Sequence, residues 1–365
     1  MAPVRVVIAP DCFAGTLSAT SAAQAVADGW AQVRPQDDLV LLPMSDGGPG
    51  FLDALRGDLV TVLVEDPLAR PTLASYRLDR TTAYVESAQA CGLQLIDPLD
   101  RDPAITTTYG VGQLVSAALD AGATRVVLGL GGSATNDGGA GMLAALGVRR
   151  EDATGERLAP GGLALAHAHR LVGTPRPVDL ILATDVDNPL LGPEGATAAF
   201  APQKGARPDQ LSALEAALAH WADLLESHLA VQVRHHEGAG AAGGLGFAGF
   251  AMGGSREPGF GVVASAVGLD AQVSAADLVL TGEGSFDASS LRGKVVSGVA
   301  ATAARHAVPC IVLAGEVSVG RQEAAAAGIE ATYSLVERVG REQALSHPAL
   351  ALATLAEAVA RQWRV

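Results

Sequence analysis

The sequence is poor in cysteine, lysine and basic clusters. Its three cysteines, Cys12, Cys91 and Cys310, are scattered along the chain, which argues against a disulfide framework or a zinc site and fits a reducing cytosol. Arginine replaces lysine everywhere except at Lys204 and Lys294. The net charge is -14 and no basic block is present, which excludes a surface built for nucleic acid or for an anionic membrane. The expected partner is therefore a small molecule.

Long apolar runs are missing as well. The first residues, MAPVRVVIAP, enter a strand-like run directly, without the apolar segment behind a basic start that marks a secretory leader. No run reaches the roughly 20 apolar residues of a membrane-spanning helix. We therefore expect a cytoplasmic protein. Its 365 residues, 49% of them apolar, are enough for two domains and a large core.

Short β-branched runs recur along the chain, and each leads into glycine or acidic residues. They are VRVVIAPD, DLVLLPMSDGG, TRVVLGLGG, DLILATDVDN, DLVLTGEG and PCIVLAGE. Because helical patterns separate several of these runs, the alternation predicts an α/β fold with buried parallel strands. Ligands of such sheets bind beyond the carboxyl ends of the strands, where the glycines and acids stand here.

Two helical patterns and one different segment add detail to this prediction. SATSAAQAVADGWAQV predicts a helix capped by Ser18 or Ser21. A second helix is predicted in PDQLSALEAALAHWADLLESHLA, with one apolar face formed by Leu211, Leu214, Leu218, Trp221 and Leu225. Residues 59–88 instead show successive short strands with Pro and Asp turns, which indicates a second subdomain.

The glycine-rich stretch GLGGSATNDGGAG, residues 129–141, follows the apolar run TRVVL. A tight turn after a strand lets backbone N–H groups approach an anion, so Gly131, Gly132 and Ser133 are candidates for phosphate binding. The stretch does not match GxxxxGK[ST], so a P-loop is excluded and the positive charge must come from elsewhere. Asn136 and Asp137 either contribute to the same site or cap the helix that follows.

Further acids and both lysines stand at other strand ends. They are Asp46 in SDGGPG, Asp185 and Asp187 in TDVDNPLLGPEGA, Lys204 in PQKGA, and Glu283, Asp287 and Lys294 in TGEGSFDASSLRGK. On an extended strand end, Asp185 and Asp187 are expected to point the same way, one accepting a proton while the other orients Mg²⁺. Phosphoryl transfer needs such a base, a cation, a metal ion and backbone donors. Each acid alone is equally well explained by a turn or a cap.

Other chemistries are less well supported by the residues. GLGGSA with Glu151 about twenty residues on fits a loose dinucleotide pattern, but NDGG interrupts the helix that a dehydrogenase needs there. Cys12 lacks a visible histidine partner for nucleophilic catalysis. Two histidine pairs lack the further ligands of a metal site; these pairs are His167 with His169 and His235 with His236.

The ordered set of motifs resembles the bacterial class I glycerate kinases over nearly the whole chain. The motifs are APDCFAGTLSA, PMSDGG, TTYGVGQL, GLGGSATNDGGAGM, DVDNPLLGPEGA, PQKGA, GAGAAGGLG, DLVLTGEG and LRGK. The resemblance implies ATP-dependent, Mg²⁺-assisted phosphorylation of D-glycerate at its 2-hydroxyl, in a cleft between two α/β domains. It implies a flavodoxin-like domain formed by residues 1–50 and 271–365, with an α/β domain inserted at 51–270.

The resemblance also implies roles for single residues. Asp187 takes or orients the acceptor hydroxyl, and Asp185 assists it or positions Mg²⁺. Lys204 and Lys294 neutralise the transferring phosphate, to which Gly131, Gly132 and Ser133 donate hydrogen bonds. The acidic lining is completed by Asp11, Asp46 and Glu283.

Three positions depart from the pattern of that family. Ala14 stands where a lysine is usual, Pro49 where a glutamate is usual, and Ser289 near a usual glutamine. Pro49 also removes a backbone N–H and fixes φ. These departures leave two alternatives open: a kinase for a glycerate analogue, such as a hydroxy-phosphonate or another small hydroxy acid, and a nucleotide-binding homologue without turnover.

Overall fold

The computed structural model describes residues 2–13, 15–291 and 294–363. By its contacts the chain divides into two compact units. Unit 1 takes the chain up to Asp46, the short segment Asp53–Leu55, and the chain from Phe260 onward. Unit 2 takes Gly47–Leu52 and Arg56–Gly259.

Strands and helices alternate through much of the chain. The strands are β1 Arg5–Ile8, β2 Asp38–Leu41, β3 Asp58–Glu65, β4 Pro71–Asp79, β5 Thr82–Glu86, β6 Arg125–Gly129, β7 Arg149–Glu151, β8 Arg170–Val172, β9 Asp179–Ala183, β10 Ser255–Glu257, β11 Leu278–Thr281, β12 Ser285–Phe286, β13 Cys310–Ala314, β14 Glu316–Val317 and β15 Ala331–Ser334. The helices are α1 Ala19–Ala31, α2 Phe51–Ala54, α3 Ala88–Cys91, α4 Tyr109–Asp120, α5 Ala140–Ala145, α6 Ala196–Phe200, α7 Leu211–Leu229, α8 Ala241–Ala251, α9 Gly259–Val267, α10 Leu269–Ser274, α11 Val295–Arg305, α12 Arg321–Ala326, α13 Leu335–Val339, α14 Arg341–Ser346 and α15 Pro348–Gln362.

Unit 1 is built on a parallel five-stranded sheet in the order β15-β13-β11-β1-β2. In chain order this is the 2-1-3-4-5 arrangement of flavodoxin-like folds, in which the strand order reverses between the first and third strands. The resemblance assigns the runs VRVVIAPD, DLVLLPMSDGG, DLVLTGEG and PCIVLAGE to the flavodoxin-like domain, and these runs form β1, β2, β11 and β13 of this sheet. The α/β fold with a parallel sheet is therefore confirmed.

The core of unit 1 joins both ends of the chain. Helix α1 begins as predicted, since the Ser18 hydroxyl accepts a hydrogen bond from the N–H of Ser21. Trp30 of α1 is fully buried and shares a core cluster with Ile8 of β1, Leu280 of β11 and Leu352 of α15. Burial of such side chains is worth about 1.5–3 kcal/mol each, so unit 1 needs its C-terminal residues to complete its core.

Unit 2 is built on a six-stranded sheet in the order β10-β9-β6-β5-β4-β3. Strands β5, β6, β9 and β10 are parallel, whereas β3, β4 and β5 are joined by antiparallel pairing. These antiparallel strands are the successive short strands predicted between residues 59 and 88. Helix α7 packs as predicted, with Leu214, Leu218, Trp221 and Leu225 buried, although Leu211 is only half-buried.

The bounds of the two units lie near the expected domain ranges 1–50, 51–270 and 271–365. The domain organisation itself stays a prediction. The largest difference covers residues 260–270, which belong to unit 1. Phe260 packs against α11, since a Cβ on Gly298 would lie 2.4 Å from the Phe260 ring. Within the part of the chain that the structure describes, no helix is both long and apolar enough to cross a membrane.

Candidate functional site

Unit 1 has a cavity of about 440 Å³ beyond the carboxyl ends of its strands. Asp11 follows β1, Glu283 follows β11, Glu316 follows β13 and Leu335 follows β15, and all four line the cavity. The remaining lining combines polar groups with an apolar wall; it includes Asp287, Ser289, Lys294, Val336, Arg341, Ala344, Leu345 and Pro348. The cavity thus lies where parallel sheets of this kind bind ligands.

Three carboxylates interact at the acidic end of unit 1. Burial and the charge of Asp46 raise the pKa of Asp11 to about 7, while the Cys12 N–H, 2.7 Å from Asp11 Oδ1, opposes the shift. Burial also raises the pKa of Glu283, against the effect of the Ser290 hydroxyl and the Lys294 ammonium. Within the described residues, no three acidic, cysteine or histidine side chains are arranged to hold a metal ion by themselves.

Lys294 supplies positive charge to the same cavity. It immediately precedes the eleven-residue helix α11, and its Nζ donates to Ser289 Oγ at 3.2 Å. The N–H of Ser289 donates in turn to Asp287 Oδ1 at 2.7 Å. Hydrogen bonding by the Ser289 side chain, and then by its N–H, lowers the pKa of Asp287. The ammonium group therefore lies beside a helix N-terminus, where an anion is also stabilised by the helix dipole.

Unit 2 has a smaller cavity, of about 200 Å³, at the glycine-rich loop after β6. Gly131, Gly132, Ser133 and Lys204 all line it. The structure thus brings Lys204 to three consecutive loop residues that lie about seventy positions earlier in the chain. Backbone and hydroxyl donors beside one ammonium group suit a small anion.

The glycines of this loop are required by close packing. A Cβ on Gly131 would lie 2.5 Å from the Cα of Gly48, and one on Gly132 would lie 2.7 Å from Cγ of Pro49. Gly132 also has φ +66°, a conformation that other residues rarely adopt. Residues 47–50 therefore lie directly against the glycine-rich loop, with almost no side-chain atoms between them.

Lys204 is buried, with 3% of its surface exposed. It ends a short 3-10 helix, Pro202–Lys204, and its Nζ donates to Ser133 Oγ at 2.9 Å and to the carbonyl of Thr135 at 2.8 Å. Burial lowers the pKa of Lys204 to about 8, against the effect of Cys91 and Asp137. An ammonium group has three hydrogens, so one is left for a ligand once these two bonds to described residues are made.

Asn136 and Asp137 lie buried behind the loop. The Asp137 carboxylate accepts hydrogen bonds from the N–H groups of Thr108, Gly139 and Gly141 and from the Thr108 hydroxyl, at 2.9–3.1 Å. Asn136 Nδ2 donates to Thr197 Oγ1 at 3.1 Å. The contacts of Asp137 hold the start of α5 and the end of the preceding loop in place, and neither residue lines the cavity.

Asp185 and Asp187 lie in the loop after β9. The strand ends at Ala183, so the expectation that both aspartates lie on an extended strand end is wrong. Asp185 is half-buried and Asp187 is exposed. Val186, between them, lines the same small cavity as Lys204. Neither Asp185 nor Asp187 is among the residues that line that cavity.

Sequence reasoning missed Glu86, a buried residue at the end of β5. Its carboxylate accepts hydrogen bonds from the N–H groups of Gly50 and Leu52, at 3.2 and 3.3 Å. It thereby anchors the segment that packs on the glycine-rich loop. A single glutamate at a strand end carries no motif, so only the tertiary contacts identify it.

The predicted site residues thus form two groups, one in each unit. Of the three departures from the family pattern, Pro49 lies against Gly132 in unit 2 and Ser289 lines the cavity of unit 1. Ala14 lies outside the described residues.

Comparison with known proteins matches the chain to the glycerate kinase family over residues 6–364. A glycerate kinase from Bacillus subtilis is 44% identical over 359 residues, covering 95% of this chain and 94% of that protein. The glycerate 2-kinase of Escherichia coli is 39% identical over 353 residues, covering 92% of each. A crystal structure from Salmonella typhimurium LT2, provisionally named glycerate kinase 2, superposes with a TM-score of 0.84 at 38% identity, covering 99% of this chain and 98% of that one.

The parallel α/β fold and these relatives define the class of the protein: it is a kinase, an enzyme that transfers a phosphoryl group to a small molecule. The chain belongs to the glycerate kinase family.

Proposed function

We propose that the protein is a cytoplasmic enzyme that transfers the γ-phosphoryl group of ATP to the 2-hydroxyl of D-glycerate, giving 2-phosphoglycerate. The observation that carries this proposal is the small cavity of unit 2, where buried Lys204 meets Gly131, Gly132 and Ser133. Its volume of about 200 Å³ suits a three-carbon acid or a phosphoryl group. The relatives named glycerate kinase support the same substrate.

The residues of unit 2 take the following parts in the proposal. Lys204 and the N–H groups of Gly131 and Gly132 bind and neutralise anionic oxygens, because preorganised donors in a water-poor cavity stabilise developing charge strongly. The Asp187 carboxylate, exposed on its loop, accepts the proton of the acceptor hydroxyl. Asp137 and Asn136 position the loop from behind.

Mg²⁺ is part of the proposal because its ligands are available. It prefers carboxylate oxygen and is usually held by one or two carboxylates together with substrate phosphates and water. Asp185, with Asp187 beside it, supplies donors of that kind in the loop after β9. When bound, the ion neutralises charge on the phosphate oxygens.

Turnover with MgATP and a panel of hydroxy acids tests the proposal, with the products identified by ³¹P NMR. The panel contains D-glycerate, other small hydroxy acids and hydroxy-phosphonates. The expected product is 2-phosphoglycerate, formed faster from D-glycerate than any other product. Formation of 3-phosphoglycerate would refute the 2-hydroxyl assignment, and faster turnover of another acceptor would refute the assignment of glycerate.

Replacing the proposed base gives a sharper test. Asp187→Asn keeps the size of the side chain but removes its capacity to take a proton, so kcat should fall by about 100-fold or more. Asp209→Asn is a matched control, since Asp209 is 73% exposed in its side chain and pairs only with nearby Arg207 among the described residues. Unchanged kcat in Asp187→Asn would exclude Asp187 as the base.

A second candidate function is phosphorylation of a glycerate analogue. Pro49 favours it, because its ring lies against Gly132 of the loop that lines the anion cavity. A rigid apolar ring at this position changes the shape available to an acceptor. The same panel decides between the two candidates, and nucleotide binding without any turnover would instead indicate a non-catalytic homologue.

A further inference from the structure

The larger cavity, of about 440 Å³, lies at the point where the strand order of unit 1 reverses. Strand β1 has β2 on one side and β11 on the other, so the helical connections leave β1 and β11 in opposite directions. Asp11 and Glu283, which follow these two strands, both line the cavity. Parallel sheets bind nucleotides and similar cofactors in the crevice at such a reversal.

One side of the cavity is an apolar wall that a small hydroxy acid does not need. Leu335, Val336, Ala344, Leu345 and Pro348, from α13, α14 and the start of α15, form this wall. Leu345 is 58% exposed, so its side chain is accessible to a ligand in the cavity. Arg341 adds a planar guanidinium group that is held by an ion pair with Glu316. An aromatic ring stacks well on such groups.

The other side of the cavity is acidic, with Lys294 as its one ammonium group among the described lining residues. Asp11, Glu283 and Asp287 repel a free carboxylate but accept hydrogen bonds from hydroxyl groups. The hydroxyl groups of an electrically neutral ring therefore fit beside these acids, and a negatively charged part of the ligand needs the part of the lining near Lys294. Lys294, at the N-terminus of α11, offers the positive charge that a phosphate chain requires.

From these observations we infer that the unit 1 cavity binds the nucleoside part of the phosphoryl donor, with the purine on the wall around Leu345 and the phosphate chain directed towards Lys294. The inference rests on the proposed function, in which ATP is the donor. It assigns the nucleoside and the small anion to different cavities: one of about 440 Å³ with an apolar wall, and one of about 200 Å³ with glycine and lysine donors.

The test is calorimetric titration of the full-length protein, without acceptor, with a non-hydrolysable MgATP analogue, with adenosine and with inorganic tripolyphosphate. Leu345→Asn removes an apolar contact at an exposed position and adds no charge. It should weaken the analogue and adenosine by about tenfold, the effect of losing one leucine contact, and leave tripolyphosphate unchanged. The KM for the hydroxy acid should also stay unchanged.

Leu350→Asn is the matched control. Leu350 is 61% exposed on α15 and lies outside the cavity lining, so this variant should bind all three compounds as the wild type does. Wild-type affinity of Leu345→Asn for the analogue would overturn the inference, as would equal weakening of tripolyphosphate and adenosine. Because these titrations need no acceptor, loss of the proposed activity on glycerate leaves their outcome interpretable on its own.

Discussion

A single buried ammonium group dominates the electrostatics of the unit 2 cavity. The Lys204 ammonium group donates hydrogen bonds to Ser133 and to the carbonyl of Thr135. Its burial disfavours the charged form and lowers its pKa to about 8. Such a group binds an anion strongly while charged. It is also easily neutralised, so its charge depends on pH near the physiological range.

The pH dependence of Lys204 can be measured. As pH rises through about 8 the ammonium group loses its proton, so kcat/KM should fall along this limb. Over the window from about 8 to 10.5 the unfolded chain binds more protons at this lysine than the folded chain does. The contribution of Lys204 to stability should therefore rise with pH across that window.

Lys204→Met separates these two effects. Methionine fills similar volume without charge, so turnover should fall by at least about 100-fold, because the anion loses a preorganised donor, and the rise of Tm between pH 8 and 10.5 should weaken. Activity assays and thermal unfolding at each pH provide the two readouts. Retained turnover in Lys204→Met, or an unchanged pH limb, would contradict the role of this ammonium group.

The sequence identified Lys204 by its rarity and its motif, but it did not reveal the partners of the side chain. Those partners, Ser133 and Thr135, are distant in the chain and become neighbours only through packing. Packing, which the sequence does not reveal, also decides where Asp185 and Asp187 lie. Their spacing suggested one strand face, whereas the end of β9 at Ala183 depends on pairing with β6 and β10.

At the scale of the elements, the contact between residues 47–50 and the glycine-rich loop is the feature least expected from the sequence. Strands β1, β6, β9, β11 and β13 could be predicted, because buried parallel strands are short β-branched runs that end in polar residues. The stacking of residues 47–50 on the glycine-rich loop could not, since it depends on backbone atoms in close contact. The cavity wall formed by α13 and α14 also escaped prediction, because these helices have only five and six residues and carry no motif.

Gly131→Ala tests the loop contact. Its new Cβ would lie 2.5 Å from the Cα of Gly48, and backbone atoms cannot move aside cheaply, so stability should fall by about 1–3 kcal/mol and the KM of the acceptor should rise. Gly320→Ala is the control, since a Cβ there would meet only the Glu323 side chain, at 3.5 Å. Denaturant unfolding and kinetics measure both variants. Equal stability of the two variants would show that the loops separate without cost.

At the scale of the whole molecule, the chain builds one unit from both of its ends. Unit 2 is nearly continuous from Arg56 to Gly259, whereas unit 1 combines the chain up to Asp46 with the chain from Phe260 onward. Its two N-terminal strands, β1 and β2, pair with each other, but the other neighbour of β1 is β11. The sequence indicated this arrangement only through family resemblance, because no local pattern shows which distant strand fills a gap.

This strand order determines which unit can fold first during synthesis on the ribosome. The residues of β1 emerge first, but the partner strand β11 is translated only after all of unit 2. One edge of β1 therefore has no partner strand during the time in which unit 2 can already fold. In nascent chains of which only the residues before Leu278 have emerged from the ribosome, protease should cut within the first 46 residues and spare unit 2. Early protection of that N-terminal segment from protease would contradict this order of folding. Until translation ends, β1 and β2 are therefore the segments that we expect a chaperone to bind.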